Sequence, residues 1–242
     1  MKPVHYFICG TPRSGSTLLC EALRATRVAG TPGEYFADHF TSLLLKRWKV
    51  PSVPDYHAFF RLARGAATTP NGVCGIKLHW PQMEKLARVA GCTLPDLEAI
   101  EELFPNPLFM FLVRADKRAQ AISHLRSEQT NQWSVPNGQP RHPSRAAARF
   151  DFERLETLQR MLAQHEANWD ALFACRGIRP LRLYYEDLCA DYEMTIRAAL
   201  RFIGIDSADR MAIPPPPLVK QGGDESAWTQ RSLVEARLRR AG

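Results

Sequence analysis

"FICGTPRSGSTLLCEAL", residues 7–23, organises everything that follows it in the chain. An apolar run stops at Gly10, Gly15 comes after four intervening residues, and Thr17 follows two places on. This is the spacing of a phosphate-binding loop, G-x-x-x-x-G-K-[ST], with Ser16 where the lysine would stand. Val4–Cys9 reads as a buried strand. The apolar spacing of Leu18, Leu19, Ala22 and Leu23 over residues 16–27 reads as a helix. A strand, a tight loop and a helix in that order turn backbone N–H groups and the positive end of a helix dipole toward one point, where an anion is held. Arg13 supplies a cation three places before the missing lysine. Ser14, Ser16 and Thr17 add hydroxyls, Gly15 lets the backbone approach closely, and the N–H groups of residues 14 to 18, Leu18 included, are the expected donors. Without the lysine, the loop is expected to hold a phosphate rather than transfer one.

Working outward, "NGVCGIKLHW" (71–80) opens at an Asn-Gly turn and reads as a second strand. "PLFMFLVR" (107–114) is continuously apolar, as an inner parallel strand is. "IRPLRLYYEDL" gives a further strand. Helical spacing is expected from about 35 to 48, over 80–90 with Pro81 in the first turn, over 96–104, from about 116 to 129 and from roughly 145 to 175. "EMTIRAALRFIG" is a helix closed by Gly204, and the chain ends in a basic helix. Residues 131–144 are rich in turn formers and read as a surface loop. The four prolines at 214–217 read as a stiff spacer, and Asp187 as the cap of the helix after it. Strands alternating with helices imply an α/β fold, a mainly parallel sheet flanked by helices on both faces, in a single domain over residues 1–242. Ligands on such sheets lie beyond the carboxyl ends of the strands. Gly10, Arg114 and residues 185–188 fall at such ends, with Lys77 close to one.

Composition narrows the partners. The chain has 242 residues, 45% hydrophobic, and a formal charge of +7, which favours an anionic ligand. The basic residues are dispersed, so a nucleic-acid partner is not expected. Six cysteines form no C-x-x-C pair and no zinc spacing, and are expected as reduced thiols. The first ten residues carry too short an apolar run for a membrane span or a signal segment, so a soluble, cytoplasmic protein is expected.

"TPRSGSTLL" resembles the 5′-phosphosulfate loop of sulfotransferases, whose donor is 3′-phosphoadenylyl sulfate (PAPS) and whose product is adenosine 3′,5′-bisphosphate, with no metal required. Those enzymes hold the donor's 3′-phosphate with an arginine ending a strand and a serine on the next helix. Arg114 and Ser123 match, at a separation of nine residues rather than the eight usual in the wider superfamily. That spacing is similar to the bacterial Stf0-type family. Further matches are "VAGTPGEYF" (28–36), Lys77 and Trp80, "RSEQTNQW" (126–133), "YEDL" (185–188) and "KQGGDESAW" (220–228). The resemblance implies that Glu34 is the general base and that Thr31, Pro32, Gly33, Tyr35 and Phe36 border the acceptor. It also implies that Lys220, Gln221, Gly222 and Gly223 close over the nucleotide. Lys77 would contact the donor sulfonate or position the acceptor, and Trp133 would line the acceptor cleft; His79 and His124 are taken as structural. The implied reaction is sulfuryl transfer to a hydroxyl of a small carbohydrate, by a homodimer. The family member that sulfates trehalose has glutamate and glutamine at the positions of Thr31 and Gly33, and a longer segment after Phe36, which leaves the acceptor open. Two other readings stand beside this one: a small-molecule kinase with a degenerate loop, and a non-catalytic nucleotide-binding module. The kinase needs a magnesium-binding aspartate at a strand end, where the sequence offers only Asp116, beyond Arg114.

Overall fold

A computed structural model describes residues 4–52, 55–139, 148–218 and 225–241. Its strands are β1 (Val4–Gly10), β2 (Val73–His79), β3 (Leu108–Val113) and β4 (Leu181–Tyr184). The helices, in chain order, are α1 (Ser16–Ala25), α2 (Thr41–Trp48), α3 (Tyr56–Ala67), α4 (Trp80–Val89), α5 (Glu98–Leu103), α6 (Lys117–Thr130), α7 (Phe152–Cys175), α8 (Tyr185–Ala190), α9 (Tyr192–Phe202) and α10 (Glu225–Ala241). All strand pairs are parallel, in the order β2-β1-β3-β4. Successive side chains on a strand point to opposite faces, and both faces are apolar. Tyr6, Ile8, Met110 and Leu112 pack with Leu19 and Leu23 of α1 and Ile196 and Leu200 of α9. Phe7, Cys9, Ile76 and Phe111 pack on the other face with Phe60, Met83, Trp169 and Phe173. The chain leaves β1 toward β2 on one side and returns to β3 on the other, so a crevice opens at the carboxyl ends of β1 and β3. Gly10 sits there, in register with His79 on one side and Leu112 on the other.

Local chemistry sets the helix ends. Asp55, Asp116, Asp151 and Asp191 each accept a hydrogen bond from the first turn of the helix that follows. The helix expected from about 145 starts at 152 because Asp151 caps it; residues 145–147 lie outside the described residues. The expected cap at Asp187 is instead Asp191, whose carboxylate accepts from the Met194 N–H at 3.0 Å; Asp187 lies inside α8. Gly204, with φ at 76°, ends α9 as expected: its N–H bonds the Arg201 carbonyl, and the Ile205 N–H reaches back to Leu200. The helix expected from 35 starts only at Thr41 after a 3₁₀ turn, because Tyr35 and Phe36 are drawn into the core on a turn that runs out through extended backbone at Ala37. The first helix ends at Ala25, short of 27, with Arg27 at a φ of 62°. Helix α3 was not anticipated. The proline run is no free spacer, since the Asn137 N–H donates to the Pro217 carbonyl and Pro136 pairs with Leu218. All six cysteines are free thiols.

Candidate active site

The loop between β1 and α1 bends through left-handed backbone at Arg13 (φ 65°) and Gly15 (φ 87°). Gly15 is required twice over: a Cβ there would be strained by φ and would stand 2.7 Å from the Tyr185 ring. Beyond it α1 begins without a side-chain cap, so the N–H groups of Ser16, Thr17 and Leu18 have no acceptor within the helix. Gln120 of α6 braces the loop from beneath, its carboxamide donating to Thr11 Oγ1 at 2.8 Å and to the Pro12 carbonyl at 2.7 Å.

A cavity of about 1080 Å³ opens above this loop, walled by residues from α1, β2, α4, α6, α7, α8 and the segments around Gly33 and Trp133. One side of it carries Arg13, Arg114, Ser123 and Tyr185. The Arg13 Nε donates to Ser123 Oγ at 3.0 Å, and its terminal nitrogen donates to the Trp133 carbonyl. Arg114 is buried and its guanidinium lies 4.5 Å above the Tyr185 ring centroid. Glu186, next in sequence, accepts from the N–H groups of Ala115 and Asp116 and so holds the turn that follows Arg114.

At the centre stands a charged pair. Lys77 Nζ lies 2.6 Å from Glu34 Oε1 and 3.0 Å from Thr17 Oγ1; its side chain is 5% exposed and that of Glu34 16%. Glu34 Oε2 accepts from the Gln82 carboxamide at 2.9 Å. Burial by itself would raise the Glu34 pKa. The Lys77 ammonium overrides that, helped by hydrogen bonds from Lys77 and Gln82, and pulls it down to about 2. His79 Nδ1 is 3.9 Å from Glu34 Oε2, and its Nε2 is 3.5 Å from Ser16 Oγ. Burial, reinforced by the Lys77 charge, pushes His79 to about 3, so this imidazole is neutral at physiological pH. Burial likewise lowers His124 to about 4; that ring meets the Trp133 ring edge-on at 5.5 Å.

The structure brings Arg13, Gly15, Ser16, Thr17, Leu18, Pro32, Gly33, Glu34, Lys77, Arg114, Ser123 and Trp133 together in the lining of this cavity. It places four expected residues elsewhere. The Ser14 hydroxyl is buried beneath the loop. Thr31 bonds the Ala66 carbonyl, the Tyr35 hydroxyl bonds the Thr31 carbonyl at 2.7 Å, and Phe36 packs on Phe60. Lys220, Gln221, Gly222 and Gly223 lie outside the described residues. Sequence reasoning passed over Gln82 and Gln120, marked Tyr185 only as part of the "YEDL" match, and gave His79 only a structural part. The spacing His79-x-x-Gln82 at the start of an apolar helix is a capping-box-like signal that points to His79 and Gln82.

The model of the Stf0 sulphotransferase family matches residues 5–233. A trehalose 2-sulfotransferase of Mycobacterium tuberculosis is 33% identical, the match covering 96% of this chain and 95% of that protein. One from Mycolicibacterium smegmatis is 30% identical over 97% and 96%. A sulfotransferase crystal structure from Alicyclobacillus acidocaldarius superposes with a TM-score of 0.51 over 97% of this chain and 94% of its own, at 12% identity, and shares the fold. A lysine-less loop at the sheet switch point, an arginine at the next strand end and a family match spanning nearly the whole chain agree: this protein belongs to the Stf0 sulphotransferase family.

Proposed function

We propose that this sulfotransferase takes its sulfuryl group from PAPS and delivers it to a hydroxyl of a small carbohydrate, with Glu34 as the base. One observation carries the reading: Lys77 Nζ touches both Glu34 and Thr17, so the carboxylate lies one ammonium away from the anion-binding end of α1. An acceptor hydroxyl against Glu34 then faces a sulfur held at α1. The acceptor oxygen forms a bond to sulfur while the bond from sulfur to the 5′-phosphate oxygen breaks. The hydroxyl proton passes to Glu34, and the electron pair leaves on adenosine 3′,5′-bisphosphate. The N–H groups at the start of α1, with Arg13 and Lys77, offset the charge gathering on the departing phosphate. Arg114 and Ser123 hold the 3′-phosphate. While Lys77 sits on Glu34 the carboxylate is a weak base. Attraction of Lys77 to the incoming donor relieves that and raises its proton affinity.

The kinase reading is disfavoured by Asp116: its carboxylate accepts the Ala119 N–H at 2.8 Å as the cap of α6, a role that competes with holding magnesium. A thermal-shift series separates the readings. Ligand at 100 times its Kd adds about 2.7 kcal/mol, a rise of roughly 5–10 °C for a domain of this size. Adenosine 3′,5′-bisphosphate is expected to produce it and ATP–Mg²⁺ not; the reverse result sinks the proposal. Labelled PAPS with a panel of sugars, trehalose first because the relatives are named for it, then reads the acceptor. Binding without transfer to any of them would favour the non-catalytic module. Dimerisation is part of the same proposal, and sedimentation at micromolar concentration showing monomer alone would remove it.

A further inference from the structure

We infer that Gln82 is a positioning residue for the base: its carboxamide holds Glu34 Oε2, which leaves Oε1 as the oxygen offered to the acceptor. This rests on the reading of Glu34 as the base.

Glu34 stands on irregular backbone between α1 and α2, where the Lys77 N–H donates to the Gly33 carbonyl at 2.9 Å, Arg24 donates to the Pro32 carbonyl at 2.7 Å and the Ala37 N–H reaches the Glu34 carbonyl at 3.5 Å; these bonds hold the backbone and not the carboxylate. A carboxylate on such a segment needs external contacts to fix its plane. Gln82 is the third residue of α4, and it is itself fixed. Its Oε1 accepts the His79 N–H at 2.9 Å, and the His79 ring accepts the Gln82 backbone N–H in return. This reciprocal cap determines which end of the carboxamide faces outward: oxygen toward His79, nitrogen toward Glu34 at 2.9 Å. The two oxygens of Glu34 are therefore held unequally. Oε2 is held by a neutral donor that belongs to the helix cap and gains nothing by leaving. Oε1 is held by Lys77, whose ammonium already touches the donor loop and has a competing anion once a donor enters. Exchange frees Oε1 alone. Of the titratable groups facing Glu34, Lys77 on β2 is the charged one. His79 at the end of β2 is kept neutral by burial, and the Cys20 thiol of α1 is pushed by burial up to about 12 and stays protonated.

Two substitutions separate positioning from helix capping. Gln82→Glu keeps the cap, since glutamate at this position accepts the same N–H, but sets a carboxylate oxygen against Glu34 instead of an N–H. Gln82→Leu removes both. The measurement is the pH dependence of kcat at saturating donor from pH 4 to 9, with the KM of each substrate and the melting temperature. Both variants are expected to lose roughly tenfold to hundredfold in kcat, as misplacement of a reacting group does, with donor KM within about twofold of wild type. The acid limb moves up by about one pH unit in Gln82→Leu and further in Gln82→Glu, where two carboxylates share one site. A Gln82→Glu enzyme with wild-type kcat and an unmoved acid limb overturns the inference, and leaves the base reading intact provided that Glu34→Gln is inactive. A Glu34→Gln enzyme with near-normal turnover overturns the base reading and this inference with it.

Discussion

Replacing Lys77 by methionine removes an ammonium from a site that its partner carboxylate cannot easily leave. Both side chains are largely sequestered, at 5% and 16% exposure. Breaking such a pair by removing one partner costs about 3–5 kcal/mol, because the remaining charge is stranded. Glu34 keeps its bond from Gln82 and its opening to the cavity, so the lower end applies, about 3 kcal/mol, or roughly 6–12 °C in melting temperature. The assay is urea unfolding without ligand at pH 7.5 and pH 5. The sign of the difference between those two conditions is fixed by Glu34. In the wild type its folded pKa lies below the unfolded value, so its contribution is present above about 4.5 and is lost as pH falls toward about 2. In Lys77→Met burial, the largest influence, is opposed by the Gln82 hydrogen bond but no longer by the ammonium, and it raises the folded pKa, so the folded state takes up the proton first and the deficit shrinks as pH falls. Lys77→Met/Glu34→Gln removes the stranded charge and is expected to recover most of the loss. A Lys77→Met protein within about 0.5 kcal/mol of wild type at pH 7.5, or a deficit that widens on acidification, would refute the picture of a buried, mutually dependent pair.

Gly15→Ala forces a side chain into left-handed backbone against the Tyr185 ring; a loss of about 1–2 kcal/mol and an order-of-magnitude weaker grip on adenosine 3′,5′-bisphosphate are expected, read by denaturation and titration calorimetry. Gln120→Leu leaves the Thr11 hydroxyl and the Pro12 carbonyl without their brace; about 1–3 kcal/mol of stability goes, and donor KM rises while the pH profile of kcat stays where it is. Asp191→Ala removes the cap of α9, an aspartate that does not itself line the cavity although its neighbour Tyr192 does; it costs about 1 kcal/mol and leaves kcat unchanged in the transfer assay.

The parts legible in the sequence were those whose physics is local. Gly10 to Thr17 spans eight residues, and its spacing fixes both a turn and the direction of a helix. The apolar run from Leu108 to Val113 has no polar face and cannot be an edge exposed on one side. What escaped was set by contacts between distant segments. Tyr35 and Phe36 read as the start of a helix, yet the core takes them through Trp48, Phe59 and Phe60, and a helix cannot begin until Thr41. Glu34 and Gln82 are 48 residues apart. No pattern short of the fold itself marks them as neighbours, although each sits in a segment whose local signal was plain.

The serine in place of the loop lysine has its physical answer in the register of β1 and β2. The parallel pairing sets Gly10 beside His79 and Ile8 beside Lys77, so a side chain near the end of β2 reaches the same helix start that a loop lysine would serve. Lys77 does so, at 3.0 Å from Thr17. An ammonium carried by the loop would be confined to the anion held there. One carried by the neighbouring strand stands between the start of α1 and the Glu34 carboxylate, because the backbone of Gly33 pairs with that same strand at Lys77 and delivers Glu34 to it. Moving the cation by one strand thus converts a phosphate-holding charge into a link between the two halves of the cavity. On the proposed reading, an anion bound at the start of α1 then bears directly on the basicity of the carboxylate.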